Sequence, residues 1–267
     1  MTLLGTSFTF NGIPCEAFEL MLYDIGSGIE DESQIASIAT FEEETVSSRW
    51  RPYFYGIRFE EKLEFDITFG VNMDRLDHEQ YLDRHEVDQI AGWLTGHNGY
   101  KWLMIDQDDL MHVRYRCAIT SLSLVTYGSI PTAFRATVTC DSPYAYMRPK
   151  DYIYQINGET QIPFYNPCSL NVPYKPVIEF TRNSGSSFYI INTTDAGRKL
   201  EFTNIPESVS TIKVNNDTYV IENDQALNLY PLCNLRFLRL HKGMNHLIVD
   251  GNGTLKITCE FPVNTGG

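Results

Sequence analysis

Thirty-four carboxylates, six histidines and six cysteines are the residues of this 267-residue chain that could do chemistry. Paired carboxylates could serve glycoside hydrolysis, histidines a metal, and cysteines a zinc site or a nucleophile. Their spacing supports none of these. His78, His85, His97, His112, His241 and His246 form no H-E-x-x-H sequence and no other ligand pair. Cys15, Cys117, Cys140, Cys168, Cys233 and Cys259 contain no C-x-x-C. Cys117, Cys140 and Cys259 alternate with apolar residues, so reduced, buried thiols are expected rather than disulfides. Gly26-Ser27-Gly28 lacks the third glycine of a dinucleotide loop, and neither a G-x-S-x-G elbow nor a Walker sequence occurs. Asp106-Gln107-Asp108-Asp109 opens like a calcium loop, but Leu110 stands where a ligand should be and no closing glycine follows. The sequons at Asn192, Asn216 and Asn252 read as polar turn residues. No nucleophile, base and oxyanion site assemble in a recognisable order. The chain is expected to be a non-enzyme with no catalytic residue, cofactor or metal.

Charge narrows the partners. The formal net charge is −13, and residues 1–150 carry most of it, with 12 basic against 23 acidic residues. Residues 1–48 hold nine carboxylates and neither Lys nor Arg. Such a surface cannot supply the counterion release that dominates nucleic-acid affinity, so stable nucleic-acid binding is not expected. No apolar run approaches the ~18 residues of a membrane-spanning helix, so no membrane insertion is expected. The opening Met1-Thr2-Leu3-Leu4-Gly5 has no basic segment and does not read as a secretory signal. These features together describe a soluble, non-exported protein.

The elements are mainly β. Aromatic residues make up 13% of the chain and accompany many short Val/Ile/Thr segments. Phe8-Thr9-Phe10 runs into an Asn11-Gly12 turn, and a second strand is expected over Ala17–Asp24. Residues 27–44 read as a polar, acidic loop or extended arm. Trp50–Val71 reads as a long hairpin turning at Phe59-Glu60-Glu61-Lys62, with Leu63, Phe65, Ile67, Phe69 and Val71 on one face. One helix is marked: Asp83 caps it, Glu86 completes a capping box, Gly96 stops it, and Val87, Ile90, Ala91 and Leu94 form its apolar stripe. Strands follow at Tyr100–Ile105, through Val113, Tyr115, Cys117 and Ile119, and through Phe134, Ala136, Val138 and Cys140. A Pro-, Asn- and Tyr-rich stretch from Met147 places a boundary between an N-terminal domain, 1–147, and a C-terminal domain, 148–267. The second domain shows short strands at Val177–Thr181, Phe188–Asn192, Arg198–Phe202, Thr211–Val214 and Tyr219–Ile221. It closes with a hairpin expected around Asp250-Gly251-Asn252-Gly253, and the whole reads as a β-sandwich.

In this order the segments resemble the distal tail protein (Dit) family of long-tailed bacteriophages. The resemblance lies in Phe8-Thr9-Phe10-Asn11-Gly12, Ile90-Ala91-Gly92-Trp93-Leu94, Tyr100-Lys101-Trp102-Leu103 and the run Phe134–Tyr146. It continues in Tyr174-Lys175-Pro176-Val177-Ile178-Glu179 and in Leu240–Val249. It implies an N-terminal β-sandwich with one α-helix and a protruding β-hairpin, then a galectin-like C-terminal β-sandwich. It further implies a homohexameric ring belted by the hairpins. That ring would join the tail tube protein to a tail-associated hub or lysin protein and to receptor-binding or baseplate proteins, around a channel that DNA crosses at ejection. The protein would sit at the distal end of the tail in the virion, after synthesis and assembly in the host cytoplasm. No long insertion carries an extra carbohydrate-binding module.

Two residue sets follow. Trp50, Tyr53, Phe54, Tyr55, Glu60 and Glu61 on the expected hairpin are the candidate ring contact, because they pair an aromatic cluster with a register-specifying face. Glu30, Asp31, Glu32, Glu42, Glu43 and Glu44 are candidates for an acidic, phosphate-repelling lumen wall. The competing reading uses the same aromatics as a sugar platform, making the chain a carbohydrate-binding module or host-surface adhesin. A glycoside hydrolase is a third class.

Overall fold

The computed structural model of the chain describes residues 5–23, 39–59, 62–72, 81–108 and 110–264. It divides into two compact units, Met1–Tyr146 with Asn264–Gly267, and Met147–Val263.

The first unit is a curled antiparallel sheet with one helix. Its strands are β1 (Ser7–Phe10), β2 (Ile13–Pro14), β3 (Leu20–Leu22), β4 (Ala39–Glu44), β5 (Tyr53–Phe59), β6 (Glu64–Val71), β7 (Lys101–Asp106), β8 (Val113–Tyr127), β9 (Ile130–Cys140) and β10 (Ala145–Met147). The main order is β2-β1-β7-β8-β9-β6-β3. The Leu22 amide donates to the Thr6 carbonyl at 2.9 Å, so the end of that order returns to its beginning. Asn11 and Gly12 both have positive φ, +52° and +80°, which is why Asn-Gly turns β1 into β2 so tightly. The strand expected over Ala17–Asp24 is shorter. Cys15–Phe18 forms a 3₁₀ turn that ends at left-handed Glu19, and only Leu20–Leu22 pairs with β6.

Helix α1 (Arg84–Thr95) has the capping box: Asp83 accepts from the Glu86 amide at 2.7 Å, and Glu86 accepts from the Asp83 amide at 2.8 Å. It ends at Gly96, where a Cβ would stand 2.5 Å from the Gly92 carbonyl oxygen. The buried stripe is Ile90, Trp93 and Leu94, with Val87 and Ala91 half-buried at its margin. The Trp93 ring stacks on Phe8 and Phe18, and its indole N–H donates to the Phe10 carbonyl at 3.2 Å. Helix and sheet thus share one core, filled by Phe8, Phe10, Ile67, Phe69, Leu103, Tyr115 and Phe134.

The second unit is a sandwich built by bending two strands. It comprises β11 (Lys150–Asn157), β12 (Thr160–Asn166), β13 (Val177–Asn192), β14 (Arg198–Phe202), β15 (Thr211–Asn215), β16 (Val220–Asn223), β17 (Gly243–Cys259) and β18 (Pro262–Val263). The first half of β13 lies between β15 and the second half of β17, and β11 borders that half of β17. The second half of β13 lies between β14 and the first half of β17, which β12 borders. Each long strand therefore serves both layers.

This corrects two expectations. Val177–Thr181 and Phe188–Asn192 are halves of one strand, interrupted by register shifts between Arg182 and Tyr189. Asp250-Gly251-Asn252-Gly253 is a bend inside β17 and not a hairpin turn. Glycine is required there for close approach: a Cβ on Gly253 would lie 2.1 Å from the Thr181 carbonyl oxygen, and one on Gly251 3.0 Å from the Phe180 ring. Phe180 and Phe188, one from each half of β13, stack at 3.9 Å over that bend. Arg182 secures the bulged segment by donating to the carbonyls of Gly185, Ile205, Pro206, Glu207 and Val209.

Candidate assembly interface

The strands β4 and β5 form a two-stranded antiparallel sheet of their own. This overturns the hairpin expected over Trp50–Val71. β5 turns back onto β4 through residues 45–52, whereas β6 pairs with β3 and β9. The physical reason is burial. Ile67, Phe69 and Val71 point into the core and must sit mid-sheet, whereas the side chains of Tyr53, Phe54 and Tyr55 in β5 are exposed. Of the loop or extended arm expected over 27–44, residues 39–44 are extended and form strand β4, so the loop alternative is corrected there. Glu30, Asp31, Glu32, Glu60 and Glu61 lie outside the described residues.

The described members of the two candidate sets consequently meet on one ribbon. Glu44 stands opposite Tyr53 in the register, and the Tyr55 hydroxyl donates to the Glu44 carboxylate at 2.8 Å. That hydrogen bond holds the Tyr55 phenol above its ordinary pKa. A register shift between Glu42 and Glu43 inserts an extra residue into β5 and twists the ribbon there. Phe41 and Phe54 meet at 6.1 Å. The aromatic side chains remain open to solvent: Phe41 is 61% exposed, Trp50 82%, Tyr53 46%, Phe54 58% and Tyr55 65%. Arg49 lies 3.7 Å over the Tyr53 ring and Arg51 3.9 Å over the Trp50 ring. One face of each of those rings is therefore occupied, which leaves less flat surface for a sugar than the bare aromatics suggest.

Sequence reasoning missed Phe41 and the two arginines. The signal for Phe41 was present, since apolar Ala39 and Phe41 alternate with polar Thr40 and Glu42 at the period of a strand. A second exposed tip also went unseen. β8 and β9 run on to a Gly128-Ser129 turn flanked by Tyr127, 84% exposed, and Ile130.

The chemically conspicuous residues elsewhere are structural. Asp195 is buried and takes a bidentate pair from Arg239 at 2.8 and 2.9 Å, with His241 Nε2 at 3.0 Å. Burial raises its carboxyl pKa, but the hydrogen bonds from Arg239 and His241 outweigh that and hold it below the usual value. The result ties the turn after β13 to the segment before β17. Asn192 and Asn216, expected as polar turn residues, are fully buried, and each donates to a carbonyl (Arg239 and Pro176) at 2.7 and 2.6 Å. All six cysteines are free and buried. Desolvation pushes the Cys15 thiol to about 11 and the Cys117 and Cys259 thiols to about 12, out of the reactive range. Among the described residues, no cluster of His, Cys, Asp and Glu could hold a metal, and no helix is long and apolar enough to cross a membrane.

Comparison with known proteins agrees with this layout. Residues 4–142 match the family described as phage tail protein N-terminal domain, and residues 144–259 match phage tail C-terminal domain. Curated proteins give no match. The crystal structure of the phage SPP1 Dit protein is similar, with a TM-score of 0.67 at 11% identity, over 96% of this chain and 98% of that one. A chain of the phage P2 baseplate, in its activated conformation with Ca, aligns with a TM-score of 0.47 at 11% identity over 90% of both chains.

Proposed function

The chain belongs to the phage tail protein family and has the Dit fold, and we propose that it forms a six-membered ring at the distal end of the tail. The ring joins the tail tube to the tail-tip or baseplate proteins and leaves a central channel for DNA ejection. It acts as a structural part, built in the host cytoplasm and carried in the virion. The similar SPP1 protein is described as a paradigm of the hub adsorption apparatus in phages infecting Gram-positive hosts, and a hub of that kind is the role proposed here.

The observation that carries the reading is the β4–β5 ribbon. A two-stranded sheet is marginal in water by itself. Five exposed aromatic side chains on such a sheet are a contact surface awaiting a partner. Another copy of the chain supplies one, and a head-to-tail contact that closes makes a ring.

The test is the mass of the purified protein in solution, together with class averages from electron microscopy. Particles of six times the 30.6 kDa chain mass, with six-fold symmetry and a central hole, are expected. A monomer at every concentration, or a two-fold dimer, overturns the ring.

A further inference from the structure

The ribbon is divided by charge. β4 carries Glu42, Glu43 and Glu44 in succession and no basic residue. The turn after it carries Arg49 and Arg51, β5 adds Arg58 opposite Thr40 in the register, and no carboxylate occurs from Thr45 to Phe59. Among the described residues, no ion pair joins Arg49 or Arg51 to a carboxylate. Both guanidiniums rest on aromatic faces instead. Stacking of this kind fixes the plane of an arginine while its N–H groups stay at the rim, where they can meet a carboxylate in bidentate fashion.

The surroundings make that placement informative. Residues 1–150 hold 23 acidic residues against 12 basic ones, so neighbouring copies repel through most of their surface. Two of those few basic residues stand at the exposed tip of the ribbon, a short stretch of strand away from three successive glutamates. A surface with apolar rings between an acidic strand and a basic tip is complementary to a second copy of itself.

We infer that Arg49 and Arg51 of one copy dock against Glu42, Glu43 and Glu44 of the next copy, tip to strand, around the ring. This rests on the ring reading above and adds its direction. The aromatic rings supply the buried area, and the ion pairs set register and order, which is what charge complementarity does best at an interface. Lying at the rim of the contact, the pairs are screened by salt, so the difference between wild type and charge-reversed variants narrows as ionic strength rises.

The experiment compares wild type with E42K/E43K and with R49E/R51E, following oligomer mass against protein concentration at low and high salt. Each variant alone should need roughly tenfold more protein for half-assembly at low salt, since like charges now face each other. The equimolar mixture should return towards wild type, because a Lys-bearing strand then meets a Glu-bearing tip in alternation. Two outcomes overturn the inference: variants that assemble like wild type, which would assign the charged face to a different partner, or a mixture that fails to recover. Normal wild-type rings with indifferent variants remove this contact and leave the ring. A wild type that is monomeric throughout removes both.

Discussion

The β4–β5 ribbon and the bend of β13 and β17 are both antiparallel pairs rich in aromatic residues, and they put those residues to opposite use. In the bend, Phe180 and Phe188 are 1% exposed and stack over Gly251, whose missing side chain makes room for them. In the ribbon, Phe41, Trp50, Phe54 and Tyr55 stand mostly in solvent. Hydrophobicity does not separate the two. Each long strand of the bend is paired on both sides, with a second layer to cover its apolar face. The ribbon has one partner per strand and no covering layer among the described residues. An aromatic cluster is core where the chain supplies its lid; where it does not, the cluster stays exposed, and here it is proposed as an interface.

The comparison can be broken at its buried end first. Phe188→Ala should lower the stability of the second unit by about 3–5 kcal/mol, from lost burial and an unfilled cavity. Denaturant unfolding measures this, and a cost below about 1 kcal/mol would mean that the bend is not packed as described. Leu94→Ala, beneath the helix, should cost roughly 2–5 kcal/mol. The cost should be equal in monomers and assembled particles, because Leu94 packs within its own unit. A cost that appears only on assembly would move Leu94 to an interface.

Smaller effects follow. Asp195→Asn should remove about 2 kcal/mol at neutral pH, as expected for hydrogen bonds to a buried charge. The folded-state pKa is depressed, so this contribution is complete above the unfolded carboxylate value near ~4 and disappears as pH falls through the folded value. The gap between wild type and variant should therefore narrow in acid, and a gap independent of pH would rule out the ion pair as its source. At the exposed end, Trp50→Ala should change the thermal stability of the monomer by less than about 0.5 kcal/mol, as is usual for a surface position. The same change should weaken assembly markedly. If stability falls and assembly holds, the ribbon is part of a core and the comparison fails.

The sequence showed what local physics controls. Asp83, Glu86 and Gly96 mark the helix ends because capping acts over three or four residues. The alternation of Leu63, Phe65, Ile67, Phe69 and Val71 shows its inward face because strand side chains have period two. Trp93 was overlooked in the apolar stripe because its ring reaches past the helix to Phe8 and Phe18, strands away in sequence. The ribbon's aromatics were legible as a cluster. Their neighbours Phe41, Glu42, Glu43 and Glu44 were legible as well, but nothing local says that the two segments face each other.

What the sequence determined by itself was the mainly β character, the single capped helix and the acidic imbalance of the N-terminal half. Each of these is a property of composition or of residues a few positions apart. Only the tertiary structure decided that β5 returns to β4, that β6 lies between β3 and β9, and that Asp250–Gly253 bends one strand instead of joining two. Pairing is a competition among distant segments for the same backbone donors and acceptors, and burial of side-chain faces settles it. A strand such as β6, with an apolar face to hide, takes the central position. The ribbon, whose described aromatic side chains are exposed, is left at the surface.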